Sequence, residues 1–121
     1  MQTYLRLLSC AGIFCLALLS GCRSAWVQGT IVNAQNAPVS LVEVGYPGGS
    51  FGVQTIAAHA NFYYRFRVLA SGNITIQFSD AKNHSHTATG PSMEPGQQGS
   101  LRIEIEPDGK VAWTPALTLR K

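Results

Sequence analysis

The chain has 121 residues, 45% of them hydrophobic and only 12% charged, with a formal charge of +3. That length allows one domain at most. The basic residues beyond the first few (Arg23, Arg65, Arg67, Lys82, Arg102, Lys110, Arg120, Lys121) are scattered rather than gathered in a stripe, which argues against a nucleic-acid interface.

Met1 to Arg6 form a short polar start, and Leu7 to Leu19 are apolar except for Ser9 and Gly12. This is the pattern of a secretory signal peptide. The run is too short to cross a membrane as a helix, which takes roughly 20 apolar residues. It closes on Leu19-Ser20-Gly21-Cys22, which resembles the lipobox of bacterial lipoproteins. The resemblance implies that Leu19, Ser20 and Gly21 are the signal-peptidase recognition positions and that Cys22 becomes the lipidated N-terminus. Covalent diacylglyceryl and N-acyl groups on Cys22 are then expected, with no other cofactor. The alternatives are an uncleaved signal anchor or an ordinary secretory cleavage nearby, for which Arg23 spoils the sites just beyond Cys22. Because Arg23 is not the aspartate that retains many such proteins in the inner membrane, the resemblance points to the outer membrane if the source is Gram-negative. The division is then a signal peptide at 1–21, a short lipidated linker at 22–25 and a domain at 26–121. Cys10 and Cys15 leave with the leader and Cys22 is blocked, so the mature domain has no disulfide and no thiolate metal site.

After residue 25 the recurrent pattern is alternation of apolar and polar residues, interrupted by turn formers. Trp26 to Asn33 and Leu41 to Tyr46 read as strands joined through Gln35-Asn36-Ala37-Pro38. A loop Pro47-Gly48-Gly49-Ser50 leads to a strand from Phe51 to Ala57. In Phe62 to Leu69, the residues Phe62, Tyr64, Phe66 and Val68 share an inward face, with Tyr63, Arg65 and Arg67 outward. Ala70-Ser71-Gly72 is short enough to make a hairpin with the next strand, Asn73 to Ser79, whose Ile74, Ile76 and Phe78 face inward. Asp80 to Gln98 is the least regular stretch, with at most a short strand from Ser85 to Ala88. Leu101 to Glu106 puts Leu101, Ile103 and Ile105 on one face. Pro107-Asp108-Gly109 makes a tight turn, with glycine taking φ > 0, and Lys110 to Thr114 returns until Pro115 ends the pairing. Seven or so strands in about a hundred residues predict an all-β sandwich.

The order of these pieces resembles the carboxypeptidase regulatory-like domain, whose fold is a transthyretin-like sandwich. The match runs through Gly29-Thr30-Ile31-Val32-Asn33-Ala34-Gln35-Asn36-Ala37-Pro38-Val39 and Val42-Glu43-Val44. It continues through Ala58-His59-Ala60-Asn61-Phe62-Tyr63-Tyr64-Arg65-Phe66 and Leu69-Ala70-Ser71-Gly72-Asn73-Ile74-Thr75-Ile76. Asn36 and Phe62 stand where the family carries turn glycines, and Ala58-His59 replace its Thr-Asp. Asparagine tolerates a left-handed backbone and phenylalanine does not, so Asn61 is expected to take the positive φ of the second turn.

Two groups could carry a function. His84 and His86 lie two apart, so on a strand their imidazoles share a face and could hold a divalent metal. A third ligand would come from His59, Asp80 or Glu94, and the plain alternative is a solvated loop. Tyr46, Tyr63, Arg65 and Arg67 form a candidate contact patch for protein or glycan, since tyrosine and arginine are enriched at binding hot spots. Trp26 and Trp113 read as core or edge packing. No serine elbow, supported carboxylate pair or available cysteine nucleophile is found. The C-terminus Thr118-Leu119-Arg120-Lys121 lacks the Tyr-Arg-Gly-Ser ending of the related hydroxyisourate hydrolases. The expected protein is a membrane-tethered, non-catalytic envelope module that contacts an envelope protein or glycan; the alternative is a small periplasmic metal binder using His84 and His86.

Overall fold

The computed structural model describes residues 25–120. The leader, the lipobox and Cys22 lie outside the described residues. Eight strands follow one another: β1 (Val27–Asn33), β2 (Val39–Tyr46), β3 (Gly49–Ile56), β4 (Asn61–Phe66), β5 (Gly72–Ser79), β6 (Ser85–Met93), β7 (Gln97–Ile105) and β8 (Val111–Leu119). They form two four-stranded sheets, ordered β4-β1-β7-β8 and β3-β2-β5-β6. Every pairing is antiparallel except β1 with β7. The fold is the all-β sandwich expected from the alternation, with eight strands rather than seven.

The core lies between the sheets because period-2 sequences put one apolar face on each strand. Ile74, Ile76 and Phe78 of β5 and Leu101, Ile103 and Ile105 of β7 are buried, as their spacing predicted. They meet Val27 and Ile31 of β1, Val39, Val42 and Val44 of β2, and Phe66 of β4. Each such side chain contributes roughly 1.5–3 kcal/mol relative to an exposed one.

Aromatic rings close the two open sides. On the β3/β4 side, Phe51 stacks on Tyr64 with centroids 4.3 Å apart. Tyr64 is 40% exposed rather than a core residue: β4 is an edge strand, with Phe66 buried and Phe62 half-buried against the core. On the β6/β8 side, Trp113 lies where a Cβ on Gly90 would approach its ring to 2.6 Å. Trp113 packs at an edge, as expected, and only glycine fits beneath it.

Several local expectations are corrected. β4 and β5 belong to different sheets, so Ala70-Ser71-Gly72 is part of a crossover and not a hairpin turn. β2 and β3 are instead joined by a two-residue turn at Pro47-Gly48, with Gly48 at φ 99° and Tyr46 opposite Gly49. The stretch read as irregular contains the nine residues of β6, paired with β5 through a bulge. Its Gly, Pro and Ser content is tolerated because β6 is an edge strand. β8 runs on through Pro115, which pairs opposite Leu101; at a sheet edge a missing N–H can face solvent. The positive φ falls on His59 (59°), while neither Asn36 nor Asn61 is left-handed. Ala60 N–H bonds the Ala57 carbonyl at 3.1 Å, which makes Ala57–Ala60 the turn and leaves Asn61 free to begin β4. Leu41 also has positive φ (51°), at the point where β2 slips register against β5. Gly109 does take φ 87° after Pro107-Asp108, as predicted.

Strand directions place the connections at two ends. The entry end has Ala25, the Pro47-Gly48 turn, the crossover 67–71, the turn 94–96 and the close of β8. The distal end has the loops 34–38, 57–60, 80–84 and 106–110.

Candidate functional site at the distal end

The distal loops surround an open depression of about 420 Å³, lined by Gln35, Asn36 and Ala37, by Asp80, Ala81, Lys82, His84 and His86, and by Pro107, Asp108 and Gly109. Asn33 underlies it and is the one fully buried polar side chain among the described residues. Its Nδ2 donates to the carbonyls of Ala37 (2.9 Å), Ile56 (3.1 Å) and Ala57 (3.2 Å), and its Oδ1 accepts the Gln35 N–H at 3.0 Å. One side chain thus ties the β1–β2 loop to the end of β3, satisfying carbonyls that would be costly to bury unpaired. Gln35 Nε2 reaches the Glu106 carbonyl at 3.1 Å, and the His59 and Asn36 side chains bond at 2.9 Å.

Asp80 organises the 80–84 loop. Its Oδ1 accepts the N–H groups of Lys82 (2.9 Å) and His84 (3.0 Å), an Asx-type turn with Asn83 left-handed at φ 62°. Its Oδ2 accepts from His86 Nε2 at 2.8 Å. An ionised carboxylate only accepts, so Nε2 carries the proton. The hydrogen bond from His86, followed by the His84 N–H, holds the Asp80 carboxyl down at about 2. That makes it a fixed anion at neutral pH, unsuited to proton transfer.

The two histidines approach the same Asp80 oxygen and line the same depression, but in different settings. His86 lies in β6, stacks on Phe78 with centroids 4.9 Å apart and an 8° interplanar angle, and is partly covered. His84 precedes the strand; its ring is 72% exposed, with Nδ1 3.7 Å from Asp80 Oδ2. Of the third ligands considered, the fold brings Asp80 to both rings. His59 is held by Asn36, and Glu94 lies at the opposite end. Among the described residues no three His, Cys, Asp or Glu side chains are arranged to hold a metal ion.

The candidate patch divides. Tyr63, Arg65 and Arg67 do form one exposed outward row along and just beyond β4. Tyr46 is not in it: its ring packs against Phe66 with centroids 4.5 Å apart. Trp26 joins the row instead. It is 38% exposed, contrary to its expected packing role, and lies under the guanidinium groups of Arg65 (4.5 Å) and Arg67 (5.5 Å). Sequence reading missed this cluster because Trp26 and the arginines are about forty residues apart. It missed Asn33 because a buried amide has no periodic signature. The Asp80 turn had a signal, an aspartate opening a run of turn formers.

No protein-family model matches the chain, and no curated protein matches its sequence. Among solved structures, the NMR structure of a protein from Eubacterium rectale aligns over 79% of this chain and 91% of its own, with a TM-score of 0.54 and 12% identity. At that identity the likeness concerns the sandwich alone.

Proposed function

We propose that this protein is a lipid-anchored module of the bacterial cell envelope, tethered through Cys22, whose non-catalytic sandwich presents the distal loops to a protein partner. The supporting observation is the opposition of the two ends. Ala25 enters at one end only three residues after Cys22, and the loop depression opens at the other. Strands of six to nine residues rising ~3.3 Å per residue hold the loops roughly 25 Å from the tether. The four distal loop segments contain no Trp, Tyr or Phe on which a sugar could stack, which favours a protein over a glycan. The resemblance to the carboxypeptidase regulatory-like domain supports the same kind of module, and Arg23 after Cys22 favours the outer membrane.

A photo-crosslinking side chain placed at Lys82 in the native envelope should capture a discrete protein that the same group at Thr114, on the outer face of a sheet, does not. Equal capture from both positions would refute the distal contact. Cys22→Ser should lose its lipid label, and a variant that keeps it refutes the tether. The metal-binding alternative through His84 and His86 is favoured by one observation, the nearness of Asp80 to both rings. Zinc or copper titration that is unchanged in a His84→Ala/His86→Ala chain removes it.

A further inference from the structure

Of six large hydrophobic side chains exposed among the described residues, three stand at the entry end: Trp26, Leu69 (61% exposed) and Leu119 (52% exposed). Leu69 is held against the Pro47-Gly48 turn by its N–H bond to the Pro47 carbonyl, 3.1 Å. Leu119 closes β8, and the next residue, Arg120, bonds the Gly96 carbonyl through its N–H at 2.8 Å. Arg65 and Arg67 lie over the Trp26 ring. Among the described residues, this end carries these three arginines and one carboxylate, Glu94. At the distal end Asp80, Glu106 and Asp108 outnumber Lys82 and Lys110. Charge is therefore polarised along the strands, and the cationic end is the one that the chain enters.

We propose that the entry end docks on an anionic phospholipid surface. An indole with a wet edge and an apolar face suits the headgroup layer. Arginine pairs with phosphate in a bidentate, charge-assisted way, and Leu69 and Leu119 can enter the upper acyl region. The inference rests on the Cys22 tether for proximity. Trp26 follows the acylated residue by four positions, so even a weak surface contact becomes an intramolecular one at high effective concentration. Docking would fix the sandwich upright and aim the distal loops away from the membrane. Tyr63, four residues before Arg67 and thus roughly 13 Å along an extended chain, stays above the headgroups. The arginines of the β4 row are then lipid contacts.

The test uses the matured full chain in vesicles and reads the two tryptophans separately. Trp113→Phe leaves Trp26 as the reporter, and Trp26→Phe leaves Trp113, which lies near the distal end of β8. In phosphatidylethanolamine/phosphatidylglycerol vesicles with brominated acyl chains, Trp26 emission should be quenched several-fold more than Trp113 emission. Pure phosphatidylcholine should abolish most of that difference. Arg65→Gln/Arg67→Gln should reduce docking by about fivefold per arginine. Mass spectrometry of Cys22 reads the tether independently. Acyl mass on Cys22 with Trp26 no more quenched than Trp113 overturns docking and leaves the tether standing. Absence of acyl mass overturns the tether, and quenching of Trp26 then still decides docking.

Discussion

The two ends of the sandwich are built by different means. At the distal end, side chains fold the loops: Asn33, Gln35, Asn36 with His59, Asp80 with His86, and Asp108, whose Oδ1 accepts the Lys110 N–H at 3.0 Å. The entry end is closed mainly by backbone bonds, such as Leu69 to Pro47 and Arg120 to Gly96, and exposes Trp26, Leu69, Leu119 and arginines. A loop whose polar groups are satisfied internally keeps one shape, which suits specific recognition of a partner. Apolar and cationic groups left outward suit a surface with no fixed atomic pattern, such as a bilayer.

The largest effect that would test this contrast is at Asn33. Asn33→Ala removes a fully buried amide and its hydrogen bonds to the carbonyls of Ala37, Ile56 and Ala57, of which Ala57 keeps the Ala60 N–H, so it should cost about 2–3 kcal/mol in chemical denaturation. A loss below about 1 kcal/mol would mean that the distal loops are not held as described.

Acid titration sharpens the same point. The Asp80 carboxyl is held at about 2, below its ordinary value of 3.8. Between pH 4 and 2 the unfolded chain therefore binds protons that the folded chain does not. Stability from Asp80 is present above about 4 and lost as pH falls toward 2. Asp80→Asn should be less stable than the native chain at pH 7, with the difference shrinking through that window. A difference independent of pH would show that the carboxylate charge is not what closes the 80–84 loop.

The smallest stability effect belongs to the entry end. An exposed cation–π contact is worth about 0.5–1 kcal/mol, so Trp26→Ala should change the denaturation midpoint little while greatly weakening vesicle docking. A loss as large as that of Asn33→Ala would make Trp26 a structural residue and erase the contrast between the ends.

Much of the sandwich was legible in the residues. The alternating triplets of β5 and β7 read directly as core, and Pro107-Asp108-Gly109 read as the turn it is, because a glycine after Pro-Asp has few other uses. β6 was legible only at its start, Ser85 to Ala88, since Gly90, Pro91 and Ser92 imitate a loop and only pairing with β5 makes them a strand. At the candidate site the pair His84/His86 was visible, but its arrangement was not. Strand parity is consistent with both rings lining one depression, but it gave no sign that the Asp80 turn would leave His84 exposed ahead of the strand while His86 stacks on Phe78. Tyr46 was grouped with the patch on residue type alone, and its packing with Phe51 and Phe66 is a tertiary contact that residue type does not reveal.

By itself, then, the sequence determined an all-β chain with one apolar face per strand, tight turns at set positions and no cysteine within the sandwich. Alternation and turn chemistry are local properties, and local residues suffice to express them. Tertiary structure alone decided that β4 leaves β5 for the other sheet, that β1 runs parallel to β7, and that Trp26 meets Arg65 and Arg67. Alternation specifies which face a residue takes but not which strand lies beside it. That choice comes from closing two sheets over a common core, and it sorts the polar network to one end and the exposed tryptophan and arginines to the other.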